Sequence, residues 1–363
     1  MDISLIHGKL APKNFLSRLT MFAMIKSLVR RLVPGLLVAA LLSGTVQAAR
    51  PRPFIIDTDV GVDDVIAILY MLNRPDVDVK AITIASTGNA HCLPALRNTL
   101  ALLKLMNRED IPADCGPLKP LAGDHRFPES VLNESDNLAG AAKFLPKVNA
   151  STQQRGVDLL IKTIQDSKRP VTILAIGPLT NIAQALKKAP EIKNHIQAVY
   201  IMGGAVSVPG NLNDAGVSMD NKTAEWNIYL DPLAASIVFN ADIPVILVPL
   251  DVTNTVPVNM NFYHALKKNH RTLAANFAFR LFNDNLKMLK ANQWYFWDPL
   301  SAVIASDESV AGFETKPLRV LLTPEIESGR TALDNRTGQN IRVAVKVDTN
   351  KFTGLLLEGL NRS

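Results

Sequence analysis

The chain has 363 residues, 47% of them hydrophobic and 20% charged, with a formal net charge of +6. Residues 1–48 carry six of the 39 basic residues and one of the 33 acidic ones, which leaves a net of +1 beyond them and removes the basic footprint of a nucleic-acid binder. The stretch 49–363 is long enough for one large α/β domain, and no internal repeat or low-complexity linker divides it.

The first 48 residues read as a leader. Lys26, Arg30 and Arg31 form a basic segment, and Leu32 to Val46 is an apolar run too short to span a bilayer comfortably. Val46-Gln47-Ala48 puts small residues at the −3 and −1 positions, so cleavage is expected between Ala48 and Ala49. Periplasmic or secreted delivery follows, without stable membrane association after cleavage; an uncleaved anchor is the alternative. Met21 or Met24 is a more ordinary start for such a leader than Met1.

A strand over 54–58 leads into Asp57-Thr58-Asp59-Val60-Gly61-Val62-Asp63-Asp64, and an apolar helix over 63–73 follows. Asp57 and Asp59 are two apart and are expected on one face of the strand end. Asp63 and Asp64 fall in the first helical turn, where free N–H groups favour anions. Four such acids repel: at ~4 Å and an effective dielectric of ~20 a pair costs on the order of 4 kcal/mol. Either protons or a cation must relieve this, and oxygen ligands of this hardness point to Ca²⁺ or Mg²⁺ rather than zinc. The bland alternative is a capped, solvated helix start.

Further strands are expected at 78–85, 171–176, 197–202 and 244–249, and helices at 93–106, 153–167, 179–188 and 231–240. The alternation predicts an α/β fold, an open and mostly parallel sheet with helices on both faces and ligand sites at the strand C-termini. Polar or glycine turns stand there: Asp57/Asp59, then Thr87-Gly88-Asn89, Gly177-Pro178-Leu179-Thr180-Asn181, and Met202-Gly203-Gly204. Residues 205–224 form a long polar loop, and 259–291 read as helical hairpin material outside the sheet. Cys92 and Cys115 are the only cysteines; in an exported chain they can pair, and a buried free thiol fits the spacing equally. The histidines show no zinc-like spacing.

Together these motifs resemble the nucleoside hydrolase family of the inosine–uridine preferring type, whose core is Rossmann-like. The run Asp57–Asp64 is similar to its acidic fingerprint, with Val60 where proline is common. Gly88-Asn89, Ile176 to Asn181, Met202-Gly203-Gly204, Gly210-Asn211, Glu225-Trp226-Asn227 and Trp297-Asp298-Pro299-Leu300 follow in family order. The resemblance implies hydrolysis of the N-glycosidic bond of ribonucleosides with Ca²⁺ as cofactor. It implies Asp59 as general base, and Asp59, Asp64, the main-chain carbonyl of Ile176 and Asp298 as metal ligands. Asp63 corresponds to the contact with the ribose 2′-hydroxyl, Asn227 to the 3′-hydroxyl, Glu225 and Asn211 to the 5′ end, and Asn89 to a further ribose contact. Met202 would pack beneath the sugar. The partner is then a small-molecule nucleoside, with no nucleic acid, and a homo-oligomer is expected.

Two departures stand out. The gap from Asn211 to Glu225 is longer than in many members, so Asn213 or Asn221 is an alternative to Asn211. Many members place histidine, as acid for the leaving base, where this chain has Trp297. Indole delivers no proton at neutral pH, but it can stack on a purine and attract it when protonated, so a purine preference is expected. Trp294, Tyr295 and Phe296 adjoin it; His125 sits in a polar loop and reads as a surface residue. Two rivals compete with this reading. A Mg²⁺-dependent phosphohydrolase of the haloacid dehalogenase type needs a lysine and a late acidic pair at strand ends; Lys187 and Lys188 lie within a helix and Asp298 stands alone. A periplasmic nucleoside-binding protein without turnover is opposed by the intact Asp59.

Overall fold

The computed structural model describes residues 50–291 and 293–362; the leader expected over 1–48 lies outside the described residues. The first half alternates strand and helix: β1 (Arg52–Thr58), α1 (Asp64–Leu72), β2 (Val77–Ile84), α2 (Cys92–Leu105), β3 (Ala113–Cys115), α3 (Glu129–Asp136) and α4 (Gly156–Asp166). Then come β4 (Val171–Ile176), α5 (Thr180–Lys188), β5 (Ile196–Met202), α6 (Trp226–Leu230), α7 (Pro232–Phe239), β6 (Val245–Val248) and α8 (Leu250–Thr253). Helices α9 (Met260–Lys268), α10 (Leu273–Asp284), α11 (Leu286–Lys290) and α12 (Trp297–Ser306) precede β7 (Ala311–Val320), β8 (Thr331–Leu333), β9 (Gln339–Val347) and α13 (Thr349–Leu360).

The strands form one sheet in the order β3-β2-β1-β4-β5-β6-β9-β7-β8. From β3 to β9 every pairing is parallel, and β7 adds antiparallel pairings with β9 and β8 at one edge. The expected fold class is therefore found, with an antiparallel edge that was not anticipated. The chain leaves β1 on one side through β2 and returns on its other side as β4. This reversal of direction opens a crevice at the strand C-termini, where ligands of open α/β sheets bind. Register makes those ends level, since Thr58 pairs with both Ile84 and Ile176.

Both faces of the parallel core are covered, which is why a central strand such as β4 is apolar and buried along its whole length. Phe54 and Ile56 join one core with α1, α12 and α13; Ile55 and Ile173 join the other with α4, α5 and α7. Helix α1 is buried on every side, and α12 is buried from Asp298 to Ser306. The two helices lie together, tied at their far ends by the Tyr70 hydroxyl and Ser306 Oγ at 2.8 Å. Their N-termini therefore open into the same place. Cys92 and Cys115 are joined in a disulfide linking the start of α2 to the end of β3, which settles the pairing left open by spacing. Among the described residues no helix is long and apolar enough to cross a membrane.

Candidate active site

The chain leaves β1 at Thr58 and reverses at Val60, whose φ of 59° lies in the left-handed region. For a β-branched residue that costs ~1–3 kcal/mol, which the surroundings must repay. Asp64 repays it: its Oδ1 accepts the Val60 N–H at 3.2 Å and the Thr58 hydroxyl, and its Oδ2 accepts the Gly61 N–H at 2.8 Å. Asp59, at the apex, has its carboxylate fixed by the Asn89 N–H at 2.9 Å. Two glycines press on it. A Cβ at Gly88 would stand 2.2 Å from the Asp59 carboxylate, and one at Gly177 would stand 2.9 Å from its amide.

Across from this loop, Asp298 opens α12. Its N–H donates to Asp63 Oδ2 at 3.2 Å, and Asp63, Asp64 and Asp298 each bring a carboxylate oxygen within 4.8 Å of the others. Burial holds the Asp59 and Asp298 carboxyls well above their ordinary range, and neighbouring carboxylates raise both further. Burial, then the Asp64 charge, pushes Asp63 up to about 7; burial also raises Asp64. The convergent helix N-termini offset part of this cost. No lysine, arginine or histidine lines the cavity among the described residues. An excess of carboxylate oxygens at this wall fits a hard divalent cation, and Asp63, Asp64 and Asp298 bring carboxylate oxygens close enough together to share one.

Asp57 corrects one expectation. It does not share the face of Asp59, because the strand and its alternation end at Thr58 and the chain turns at Val60. It lies buried beneath the site, where Thr83 Oγ1 and Asn181 Nδ2 donate to its Oδ1, the latter at 2.7 Å, and burial pushes it up to about 7. The four-acid cluster consists of Asp59, Asp63, Asp64 and Asp298.

A cradle of amides and one more acid faces the cluster. Glu225 caps α6, accepting the Asn227, Ile228 and Gly204 N–H groups at 2.9, 3.2 and 2.9 Å. Burial pushes its carboxyl up to about 7 against the pull of those donors. Asn227 donates to the Met202 carbonyl at 3.2 Å, Asn211 accepts the Trp226 N–H at 3.0 Å, and the Ser135 hydroxyl donates to Asn89 Oδ1. Asn227 and Asn211 thus present their remaining polar atoms from fixed positions.

All eleven residues named from the sequence line one cavity of about 580 Å³: Asp59, Asp63, Asp64, Asn89, Ile176, Met202, Asn211, Glu225, Asn227, Trp297 and Asp298. Asn213, Asn221 and His125 are not among its lining residues. Asn221 is taken up by the Ser328 carbonyl, and His125 stacks on Tyr229 at 3.9 Å. Beyond the cradle the walls are aromatic. Trp226 stacks on Phe127 at 4.2 Å, and Trp297, tilted against Tyr295 at 5.4 Å, donates from Nε1 to Asn254 at 3.0 Å. Sequence reasoning missed Phe127, Glu134, Ser135 and Asp214. Pro128-Glu129 is a helix-start signal that could have placed α3; Asp214, raised by partial burial, sits in a short turn of the long polar loop.

The family model described as inosine-uridine preferring nucleoside hydrolase matches residues 54–354. The chain belongs to this family. It is an N-glycosidase, and ribonucleoside hydrolysis is its reaction. The pyrimidine-specific ribonucleoside hydrolase RihA of Escherichia fergusonii is 36% identical over 328 residues, covering 85% of this chain and 98% of that protein. A solved plant nucleoside hydrolase matches with a TM-score of 0.75 at 29% identity, over 86% of this chain and 100% of the other. The purine-preferring ribonucleoside hydrolase of Gardnerella vaginalis matches with a TM-score of 0.71 at 27% identity, over 85% and 98%. Similar nucleoside hydrolases thus include both base preferences.

Proposed function

We propose that this nucleoside hydrolase is Ca²⁺-dependent, uses Asp59 as its general base and prefers purine ribonucleosides. The observation that carries the reading is the meeting of the four-acid cluster, the amide cradle and the aromatic walls in one cavity. The ligand set that the family resemblance implies is Asp59, Asp64, Asp298 and the main-chain carbonyl of Ile176, and a backbone ligand would favour Ca²⁺, which accepts many oxygens in loose geometry. A bound divalent ion would supply a lowered pKa to water at the site.

The chain's own groups would do the rest. Asp59, held by the Asn89 N–H and raised by burial, takes a proton from the attacking water. Asp63 has one oxygen engaged by the Asp298 N–H and offers the other to the 2′-hydroxyl. Asn227 and Asn211 grip the 3′ and 5′ sides, with Glu225 and Asn89 beside them and Met202 beneath the ring. Positive charge develops on the sugar as the bond to the base stretches, and fixed carboxylates around it favour that state over the ground state. Trp297 stacks on the base, and its hydrogen bond to Asn254 fixes the plane of the indole. Ribose release over a panel of purine and pyrimidine nucleosides, with Ca²⁺ and with chelator, tests the proposal. Chelator-resistant turnover, or uridine faster than inosine, would contradict the metal or the base assignment respectively.

We further infer one exported domain behind a leader cleaved after Ala48. The Cys92–Cys115 disulfide supports this, since such bonds persist in oxidising compartments.

A further inference from the structure

A side-chain amide that rotates freely must be ordered each time a sugar binds, and that ordering weakens the contact. Asn89 carries such an amide, and its direction is set from outside the sheet. Helix α3 is polar along most of its length, and of its eight residues only Leu132 and Ser135 are buried. Ser135 lines the cavity, and its hydroxyl donates to Asn89 Oδ1. This leaves the Asn89 amino group for substrate. A Cβ at Gly61 would stand 3.1 Å from Asn89 Nδ2 and 2.9 Å from Asp64 Oδ2, so the amino end is turned toward the loop that carries the acids. An amide turned the other way would set its oxygen toward those carboxylates. The acids therefore select the amino end, and Ser135, whose hydroxyl can donate, secures the other. The next residue ties α3 down. Asp136 accepts the His91 N–H with Oδ1 and meets His91 Nδ1 with Oδ2, both at 2.8 Å, and its carbonyl accepts Asn98 Nδ2 at 3.0 Å. Two consecutive residues of α3 thus clamp the turn between β2 and α2, one on the Asn89 side chain and one on the His91 main chain.

We propose that Ser135 is a positioning residue for this hydrolase, fixing the Asn89 amide for the ribose, and that Asp136 anchors it on the turn. The inference rests on the reading of Asn89 as a ribose contact and adds the residues that hold it in place. Ser135 works through the Asn89 side chain. The general base is held by a different group, the Asn89 main-chain N–H, at 2.9 Å from Asp59 Oδ2. Loss of the Ser135 hydroxyl therefore loosens the grip on the sugar and leaves Asp59 in place. A grip that is equal in the ground and transition states shows in KM and spares kcat.

The test is the kinetics of ribose release by the Ca²⁺-loaded enzyme, with the best ribonucleoside of the panel, in Ser135→Ala, Asn89→Ala and the double variant. Ser135→Ala should raise KM roughly tenfold, the scale of one hydrogen bond whose buried partner is left unpaired, while kcat changes far less. In the Asn89→Ala background the same substitution should move KM by less than about twofold, because the group it acts through is gone. Asp136→Ala, which frees α3 from the turn, should give a KM rise of the same kind. KM penalties that multiply in the double variant, or a wild-type KM in both Ser135→Ala and Asp136→Ala, overturn this inference while the ribose contact of Asn89 stands. A wild-type KM in Asn89→Ala removes that contact and this inference with it.

Discussion

Gly88→Ala should abolish most of the activity without altering any side chain that touches substrate. Gly88 packs on the general base, and the added Cβ would lie 2.2 Å from both the Cβ and Oδ2 of Asp59 and 2.6 Å from its Cγ. Ordinary carbon contacts are ~3.5–4 Å, so the carboxylate must retreat by more than about 1 Å. Rotation offers little escape, because the Asp59 Cβ is struck as well as the oxygen, and Asp59 Oδ2 would leave the Asn89 N–H that holds it at 2.9 Å. A displacement of ~1 Å in a positioned catalytic group costs on the order of 10²-fold in rate. Initial rates of ribose release should show that loss in kcat, while circular dichroism shows a folded protein. Gly354→Ala is the control. Outside the helix's own backbone, nothing lies within 4 Å of the methyl it would add in α13, and removing a helical glycine should add ~0.5–1 kcal/mol of stability with unchanged rates. Wild-type kcat in Gly88→Ala would mean that the position of Asp59 does not govern the chemistry.

Other outcomes follow from the same geometry. A 2′-deoxynucleoside should be slower than its ribonucleoside by several orders of magnitude, because Asp63, covered by the bound sugar, would be left without its hydroxyl partner; equal kcat/KM would remove Asp63 from that role. Trp297→Ala should lose roughly tenfold more kcat/KM on inosine than on uridine, given stacking worth ~1–2 kcal/mol per base; equal losses would assign Trp297 to support of Asp298. Mass spectrometry of the protein from its native source should find Ala49 at the N-terminus and a mass two hydrogens below that of the reduced chain. An intracellular product retaining residues 1–48 would contradict export.

The parallel core was legible because strands covered on both faces are written as apolar runs, as in Phe54-Ile55-Ile56 and Val171 to Ile176. The edge was not. In β7 the sequence AGFETKPLRV carries a proline and interspersed charged residues, and in β9 exposed and buried positions mix, so neither reads as a buried strand. β3 has only three residues. The site was legible where its residues stand in short motifs at strand ends. Glu134, Ser135 and Asp214 lie on a polar helix and a loop, whose composition does not distinguish a cavity wall from a solvated surface. Asp57 misled because period-two alternation was extended one residue past the end of β1, into a turn where it no longer holds.

The central claim is that Asp59 and a divalent cation act together on water. Its most direct test is ribose release from the best nucleoside of the panel by wild-type and Asp59→Ala protein, each stripped with chelator and then resupplied with Ca²⁺. The wild type should lose activity on stripping and regain it with Ca²⁺, and Asp59→Ala should stay at least ~10²-fold down in kcat in both states. Full turnover by chelated Asp59→Ala protein would contradict the account.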